Sequence, residues 1–356
     1  MTHGYARNLV GRGHAVTLFT GAIMGAPDEE TIDGVSVVRR GGPVTTRIHA
    51  PRWYREQRRR GRDFDVVVEE INTLPYFAGS FASVPTVLWV HQIAREVWWY
   101  EAPKPLAALG YGLEQAYLRS LRWSPALVPS KSTRDDLLRL GFREDRVLAV
   151  PYAIDHVDAP PIDKEPGLLA YLGRITSSKR IDHLIHALAL VREQGLDARL
   201  VAAGPGGEDE RARLLALARD LGIADRFVLC GYLDEGAKRR LLASASLFLM
   251  ASVREGWGLV VTEANALGVP AVVYDRPGLR DSTVHERTGL VTHPSPEALA
   301  AAIVRALTDS RLYERLSTGA AAWAAGFTWR RSNAFFERAL QAVAERRPLP
   351  AAKGPE

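Results

Sequence analysis

The stretch REGWGLVVTEANALGVPAV, Arg254 to Val272, places two carboxylates, Glu255 and Glu263, with seven residues between them beside a Gly-Trp-Gly turn. The apolar run SLFLMAS before it reads as a strand, so Glu255 stands on the loop at that strand's carboxyl end. Gly256 and Gly258 let the backbone come close to a ligand. The helix that begins near Gly258 is ended by Gly268 and Pro270, and Glu263 lies a turn or more into it. The first amides of this helix have no partner within it, and its positive dipole end suits a phosphate.

PAVVYD, which follows, is again a strand, and the same alternation runs back to Leu168. Strands LLAYLG, ARLVAAG and RFVLCG alternate with three helices. One starts at about Arg180 with Ile181, Leu184, Ile185 and Leu188 on one face, one runs from about Asp209 to Leu221, and one passes through Lys238 to Ala243. Such alternation predicts a parallel sheet with helices on both faces, and ligands of such sheets bind at the carboxyl ends of strands. The first half repeats the theme less cleanly, with AVTLFT, VSVVR, FDVVVEE, TVLWV and ALVPS as its strands.

Between the halves, YAIDHVDAPPIDKEPG (Tyr152 to Gly167) is rich in Pro and Asp and reads as a linker. The expected organisation is a first domain over 1–151, the linker over 152–167 and a second domain over 168–328. C-terminal helices over 329–347 are expected to pack back on the first domain, before a disordered tail over 348–356. The fold class is α/β, with two doubly wound Rossmann-like domains facing a cleft. A chain of 356 residues with 47% hydrophobic content supplies two such cores.

Cys230, the only cysteine, excludes an internal disulfide and fits a reducing cytoplasm. No apolar run approaches a membrane span, and MTHGYARNLVGRGH has no signal-peptide core, so a cytoplasmic location is expected. The net charge of +5 is uneven: nine Arg and one Glu lie from Arg39 to Arg62, around Trp53 and Tyr54. That run suits an anionic partner, or forms a solvated Arg-rich helix. Nucleic acid is not expected, because no helix-turn-helix or zinc pattern stands beside it.

A second loop, GRITSSKR (Gly173 to Arg180), again leaves a strand and opens a helix. Arg174 offers a planar fork and Lys179 a point charge, the usual complement of phosphate oxygens. Carboxylates accept hydrogen bonds from vicinal hydroxyls. Two cations and two acids on strand-end loops of one domain fit a nucleotide sugar, with one acid at each end.

With these residues in place, GRITSSKRID, AGPGGED, CGYLDEGAKRRLLASASLFLMASVREGWGLVVTEANALGVPAV and TGLV resemble the donor domain of the retaining GT-B glycosyltransferases of family 4. NLVGRGHAVTLFT, HQIAREVWW and PSKSTRDDL in the first half are also similar to that family, so the resemblance spans nearly the whole chain.

The resemblance implies a role for each matching position. Glu255 would hold the donor sugar's hydroxyls, and the backbone over Gly256, Trp257, Gly258, Leu259 and Val260 would meet sugar and phosphate. Glu263 would take the ribose, and Leu233 would touch the base with its main chain. Gly173 opens the loop whose Arg174 and Lys179 would neutralise the leaving diphosphate. His91 would be the acceptor-domain histidine near the donor sugar. The implied reaction moves a hexose from a UDP- or GDP-sugar to a glycan or lipid-linked acceptor in cell-surface polysaccharide or glycolipid synthesis. It retains anomeric configuration and needs neither metal nor other cofactor. Peripheral contact with an anionic membrane on its inner face is expected through Arg39–Arg62 and Trp98, Trp99 and Tyr100.

The sequence departs from the family in two places. The family's first strand and Gly-rich loop are expected to be missing, since MTHGYARNLV would already be the first helix. The alternative reading is therefore a non-catalytic or impaired sugar-nucleotide-binding relative. Tyr152-Ala153 also stands where the family has Asn-Gly. Two rival motifs are weak. Asp63-Phe64-Asp65 precedes a strand instead of following one, and AGPGG lacks the third glycine of a dinucleotide fingerprint.

Overall fold

A computed structural model describes residues 1–156 and 162–351. The middle of the expected linker, 157–161, and the end of the expected tail, 352–356, lie outside the described residues. The chain forms two compact units, the first from Met1–Ile93, Leu113–Ala153 and Trp329 onward, the second from Ala94–Gly112 and Ile154–Thr328.

The first unit holds two sheets. In one, β1 (Thr17–Thr20) pairs in parallel with β3 (Val35–Arg39), and β2 (Glu29–Ile32) pairs antiparallel with β3. Asp33 and Gly34 join β2 to β3 with φ of 51° and 78°, the left-handed pair that a two-residue hairpin turn requires. The other sheet is wholly parallel, in the order β4 (Val67–Ile71), β5 (Thr86–Val90), β6 (Ala126–Val128), β7 (Val147–Ala149). Among the described residues β1 and β4 each have a single strand neighbour, so both are edges.

The helix Trp329–Ala344 belongs to this unit because of an aromatic cluster. Tyr5, from the helix Thr2–Gly11, lies 5.0 Å from Trp89 of β5 and 4.7 Å from Phe336, ring centre to ring centre. Trp89 and Phe336 are 4.7 Å apart. Each such pair contributes about 0.5–1.5 kcal/mol beyond the area it buries.

The second unit is one parallel sheet of β8 (Leu168–Leu172), β9 (Arg199–Ala203), β10 (Phe227–Cys230), β11 (Leu247–Met250), β12 (Ala271–Tyr274) and β13 (Gly289–Thr292). Their order across the sheet is β10-β9-β8-β11-β12-β13. All five residues of β8 are buried, as a central strand covered on both faces should be. The helix Ile181–Glu193 buries Ile181, Leu184, Ile185 and Leu188 against it, and Glu208–Asp220, Glu235–Ser244 and Leu259–Ala266 follow their strands in turn. β2, β7 and β13, of four, three and four residues, are strands that the sequence reading does not name.

One boundary differs from the sequence reading. Ala94–Gly112, expected in the first domain, lies in the second unit. Buried Arg254 donates to Glu96 at 2.6 Å, and Ser177 Oγ donates to the Tyr100 carbonyl at 2.6 Å. Ser178 Oγ donates to the Glu101 carboxylate, and the Arg180 guanidinium sits 5.6 Å over the Tyr100 ring. These partners are far away along the chain, so no local pattern reveals them. Trp98, Trp99 and Tyr100 thus belong to the second unit, and the Arg39–Arg62 run to the first.

Candidate functional site

β8 and β11 are neighbours pointing the same way, so the loops that leave them emerge side by side. The first of these, from Gly173, runs backbone against backbone with the loop after β9. Gly173 N–H donates to the Ala203 carbonyl at 3.0 Å and Ile175 N–H to the Pro205 carbonyl at 2.7 Å. A Cβ on Gly204 would lie 1.9 Å from the Gly173 carbonyl oxygen, so no side chain fits there.

The loop after β11 is held from both sides. Val253 N–H donates to the Ser178 carbonyl at 2.9 Å, and Glu255 N–H to the Pro277 carbonyl at 3.0 Å. Gly278, with φ of 82°, passes so close that an added Cβ would lie 2.3 Å from the Glu255 carbonyl oxygen. This framework brings Lys179 Nζ to 2.5 Å from Glu255 Oε1, with only 12% and 13% of the two side chains exposed. Each is the other's ion-pair partner in an enclosure where little water reaches either.

Arg174 is exposed, and its guanidinium has no hydrogen bond or ion pair among the described residues. Its charge is still felt. Partial burial pushes the Glu101 carboxyl up, but hydrogen bonds from Ser178 and Thr176 and the nearby Arg174 guanidinium outweigh that and hold it below the usual range.

Gly258, with φ of 90°, precedes the helix Leu259–Ala266 and leaves Leu259 and Val260 half-buried at its start. Gly256 is buried. The Trp257 ring turns into the core, 5.3 Å from Phe327, and its Nε1 donates to Thr262 Oγ1 at 2.9 Å, so at this position only the backbone is left for a ligand. Glu263 meets Lys238 Nζ at 3.3 Å. Burial pushes its carboxyl up, and Lys238 pulls it only partly back. Lys238 also meets Glu235 at 2.8 Å. It went unnoticed as a site residue because EGAKRR reads as ordinary helix surface. Leu233 is half-buried against the core, after exposed Gly231 and Tyr232.

His91 is in the first unit, where it follows β5. Its Nε2 faces Glu70 Oε2 at 3.5 Å, and its Nδ1 lies 2.5 Å from the buried Tyr152 hydroxyl. Glu70 in turn accepts from Thr2 Oγ1 at 3.0 Å. With the proton on Nε2 toward Glu70, Nδ1 would accept from the Tyr152 hydroxyl. Tyr152 and Glu70 were missed by the sequence reading. The unexplained Tyr152-Ala153 departure now has a local role, as the partner of His91.

The expected site residues thus fall in two groups, His91 in the first unit and all the others in the second. Within the second unit Lys179 and Glu255 meet directly, whereas Arg174 meets neither acid. Among the described residues no three His, Cys, Asp or Glu side chains are grouped so that they could hold a metal ion. Asp63, in the rival motif, is exposed and pairs with Arg58 at 3.7 Å.

Residues 155–323 match the family described as glycosyl transferases group 1, and residues 1–157 match glycosyltransferase family 4. The chain belongs to the group 1, family 4 glycosyltransferases. It is 30% identical over 274 residues to a D-inositol 3-phosphate glycosyltransferase of Jonesia denitrificans, a match covering 69% of this chain and 63% of the relative. The chain spans less than two thirds of the length of the curated relatives it matches. Among solved structures, sucrose-phosphate synthase from Thermosynechococcus elongatus superposes with a TM-score of 0.81 at 18% identity, covering 97% of this chain and 93% of that one. Anabaena HepE in complex with UDP-glucose gives 0.69 at 19% identity, covering 88% and 86%. At such identities the likeness establishes the fold, which is GT-B.

Proposed function

We propose that this family member is a retaining, metal-independent hexosyltransferase using a UDP- or GDP-sugar and a glycan or lipid-linked acceptor in cell-surface polysaccharide or glycolipid synthesis. The observation that carries the reading is the enclosed Lys179–Glu255 pair beside the start of the helix Leu259–Ala266, at the carboxyl end of β11. Glu255 would accept hydrogen bonds from the sugar's hydroxyls, and Glu263 from the ribose. Lys179, Arg174 and the first amides of the helix would face the diphosphate.

In the reaction the bond from the anomeric carbon to the diphosphate oxygen breaks, and a bond to the acceptor oxygen forms on the same face. The acceptor's proton passes to the departing diphosphate. The extra negative charge that develops there meets fixed cations and amides that need no reorganisation, which is where such a site gains over water. His91, held by Glu70 and Tyr152, is the residue of the first unit to which the reading gives a part in the reaction.

A panel of nucleotide sugars, scored by transfer or hydrolysis and by thermal shift, tests this, because a true donor raises the melting temperature by linkage. Arg174→Ala or Lys179→Ala should cost on the order of a hundredfold or more in turnover. Activity should survive a chelator. Loss with chelator that magnesium or manganese restores would refute the metal-independent reading, and ligand binding without any turnover would favour the non-catalytic relative.

A further inference from the structure

An open cavity of about 640 Å³ lies in the second unit at the carboxyl ends of β12 and β13. That volume falls within the roughly 300–1,000 Å³ of small-molecule sites. Asp275 and Arg280 line it after β12, Thr283 and His285 on the connection that follows, and His293 after β13. None of the residues given a part in donor binding is on its wall.

The polar groups left free on this wall are hydrogen-bond donors. Thr283 is 2% exposed, and its Oγ1 is a buried hydroxyl with no hydrogen-bond partner among the described residues. A buried hydroxyl left unpaired weakens the fold, so one that lines a cavity points to a partner from outside the chain. Val291 N–H donates to His285 Nδ1 at 3.0 Å. The proton of the neutral ring is then on Nε2, which has no hydrogen bond among the described residues. His293 is exposed, and its ring has no partner among them either. Arg280 Nε lies 2.7 Å from Asp275 Oδ1, and its Nη2 donates to the Asp275 carbonyl at 2.9 Å, which leaves Nη1 without a hydrogen bond. The acid on the wall is thus already held by the arginine beside it.

We propose that this cavity is a second ligand site, for a phosphate oxyanion, either free or as the monoester of a small sugar. Phosphate presents oxygens that accept, and Thr283 Oγ1, His285 Nε2, His293 and Arg280 Nη1 supply donors from three segments of chain. A neutral glycan fits less well, because its hydroxyls need acceptors as well as donors and the carboxylate of Asp275 is engaged. This binding does not depend on the transferase reading.

The full chain is titrated with inorganic phosphate, with a hexose 6-phosphate and with the unphosphorylated hexose, followed by calorimetry and by the NMR resonances of the histidine rings. Phosphate in either form is expected to bind and to shift His285 and His293 together, and the neutral hexose to do neither. Tighter binding of the ester supports the site as one for a sugar phosphate, and equal binding supports it as one for phosphate itself. Thr283→Val and His293→Ala should each weaken binding about tenfold or more, the worth of a hydrogen bond to a charged group. Lys179→Met, in the donor site, should leave it unchanged. Thr283→Val should melt no lower than wild type, because the hydroxyl it removes has no partner, and His293→Ala changes an exposed position. Phosphate that shifts neither ring, an affinity unchanged in both variants, or binding lost in Lys179→Met and kept in the other two each overturns the proposal.

Discussion

The Lys179–Glu255 pair permits a quantitative test. At 2.5 Å and an effective dielectric of about 20, the attraction is roughly 6–7 kcal/mol before desolvation. Taking both ions out of water cancels most of this, so the pair as a whole contributes little to stability. Removing one partner is different, because the other is left charged at an 87–88% buried side chain, and such breaks cost about 3–5 kcal/mol. For a domain of this size each kcal/mol shifts the melting temperature by about 2–4 °C. Lys179→Met and Glu255→Gln should each lower it by about 10 °C, while the double variant should fall by much less than the sum. With each single change costing about 3–5 kcal/mol and the double change little, the expected coupling is on the order of 6 kcal/mol, close to the Coulomb attraction. A nucleoside diphosphate should raise the wild-type melting temperature by linkage and lose most of that effect in Lys179→Met, since the ammonium is what it would recruit. The assay is a thermal-unfolding double-mutant cycle, with and without ligand. Single changes that add within about 0.5 kcal/mol would mean that the pair is not made in solution, and the account of the site would be wrong.

Other outcomes follow from the same structure. Glu263 has its carboxyl raised by burial, so the folded state binds its proton more readily than the unfolded chain does, and stability is lost as pH rises from about 4.5 through the folded value. Glu263→Gln should therefore melt higher than wild type near neutral pH, with the two curves converging below about pH 4.5, while nucleotide affinity falls. Tyr152→Phe removes the hydroxyl at His91 Nδ1 and should cost about 1–3 kcal/mol of first-unit stability, with a change in the His91 ring resonances by NMR that a distant packing change would not produce. Gly278→Ala forces a Cβ into the Glu255 carbonyl at a left-handed backbone position, so soluble yield or turnover should collapse, whereas Gly222→Ala, which meets no atom within 4 Å at φ of 67°, should cost only about 1 kcal/mol of backbone strain.

The second unit was legible in the sequence because its information is local. β8 to β12 are apolar runs ended by glycine or polar residues, and Ile181, Leu184, Ile185 and Leu188 repeat at the helical period, so each element can be read within its own window. The placing of Glu255 before the helix and Glu263 within it is equally local, because the helix itself fixes their separation. Tertiary structure decided which cation meets which acid. Lys179 and Glu255 are 76 positions apart, and only the adjacency of β8 and β11 puts their loops together. It also decided that Ala94–Gly112 joins the second unit, since Glu96 and Arg254 are 158 positions apart. Tyr152 reaches His91 across 61 positions, a contact that explains a residue the sequence left without a role. Periodicity records how one element buries its own face, but charge pairing depends on the order in which separate strands assemble, and that order is written in no single segment of the chain.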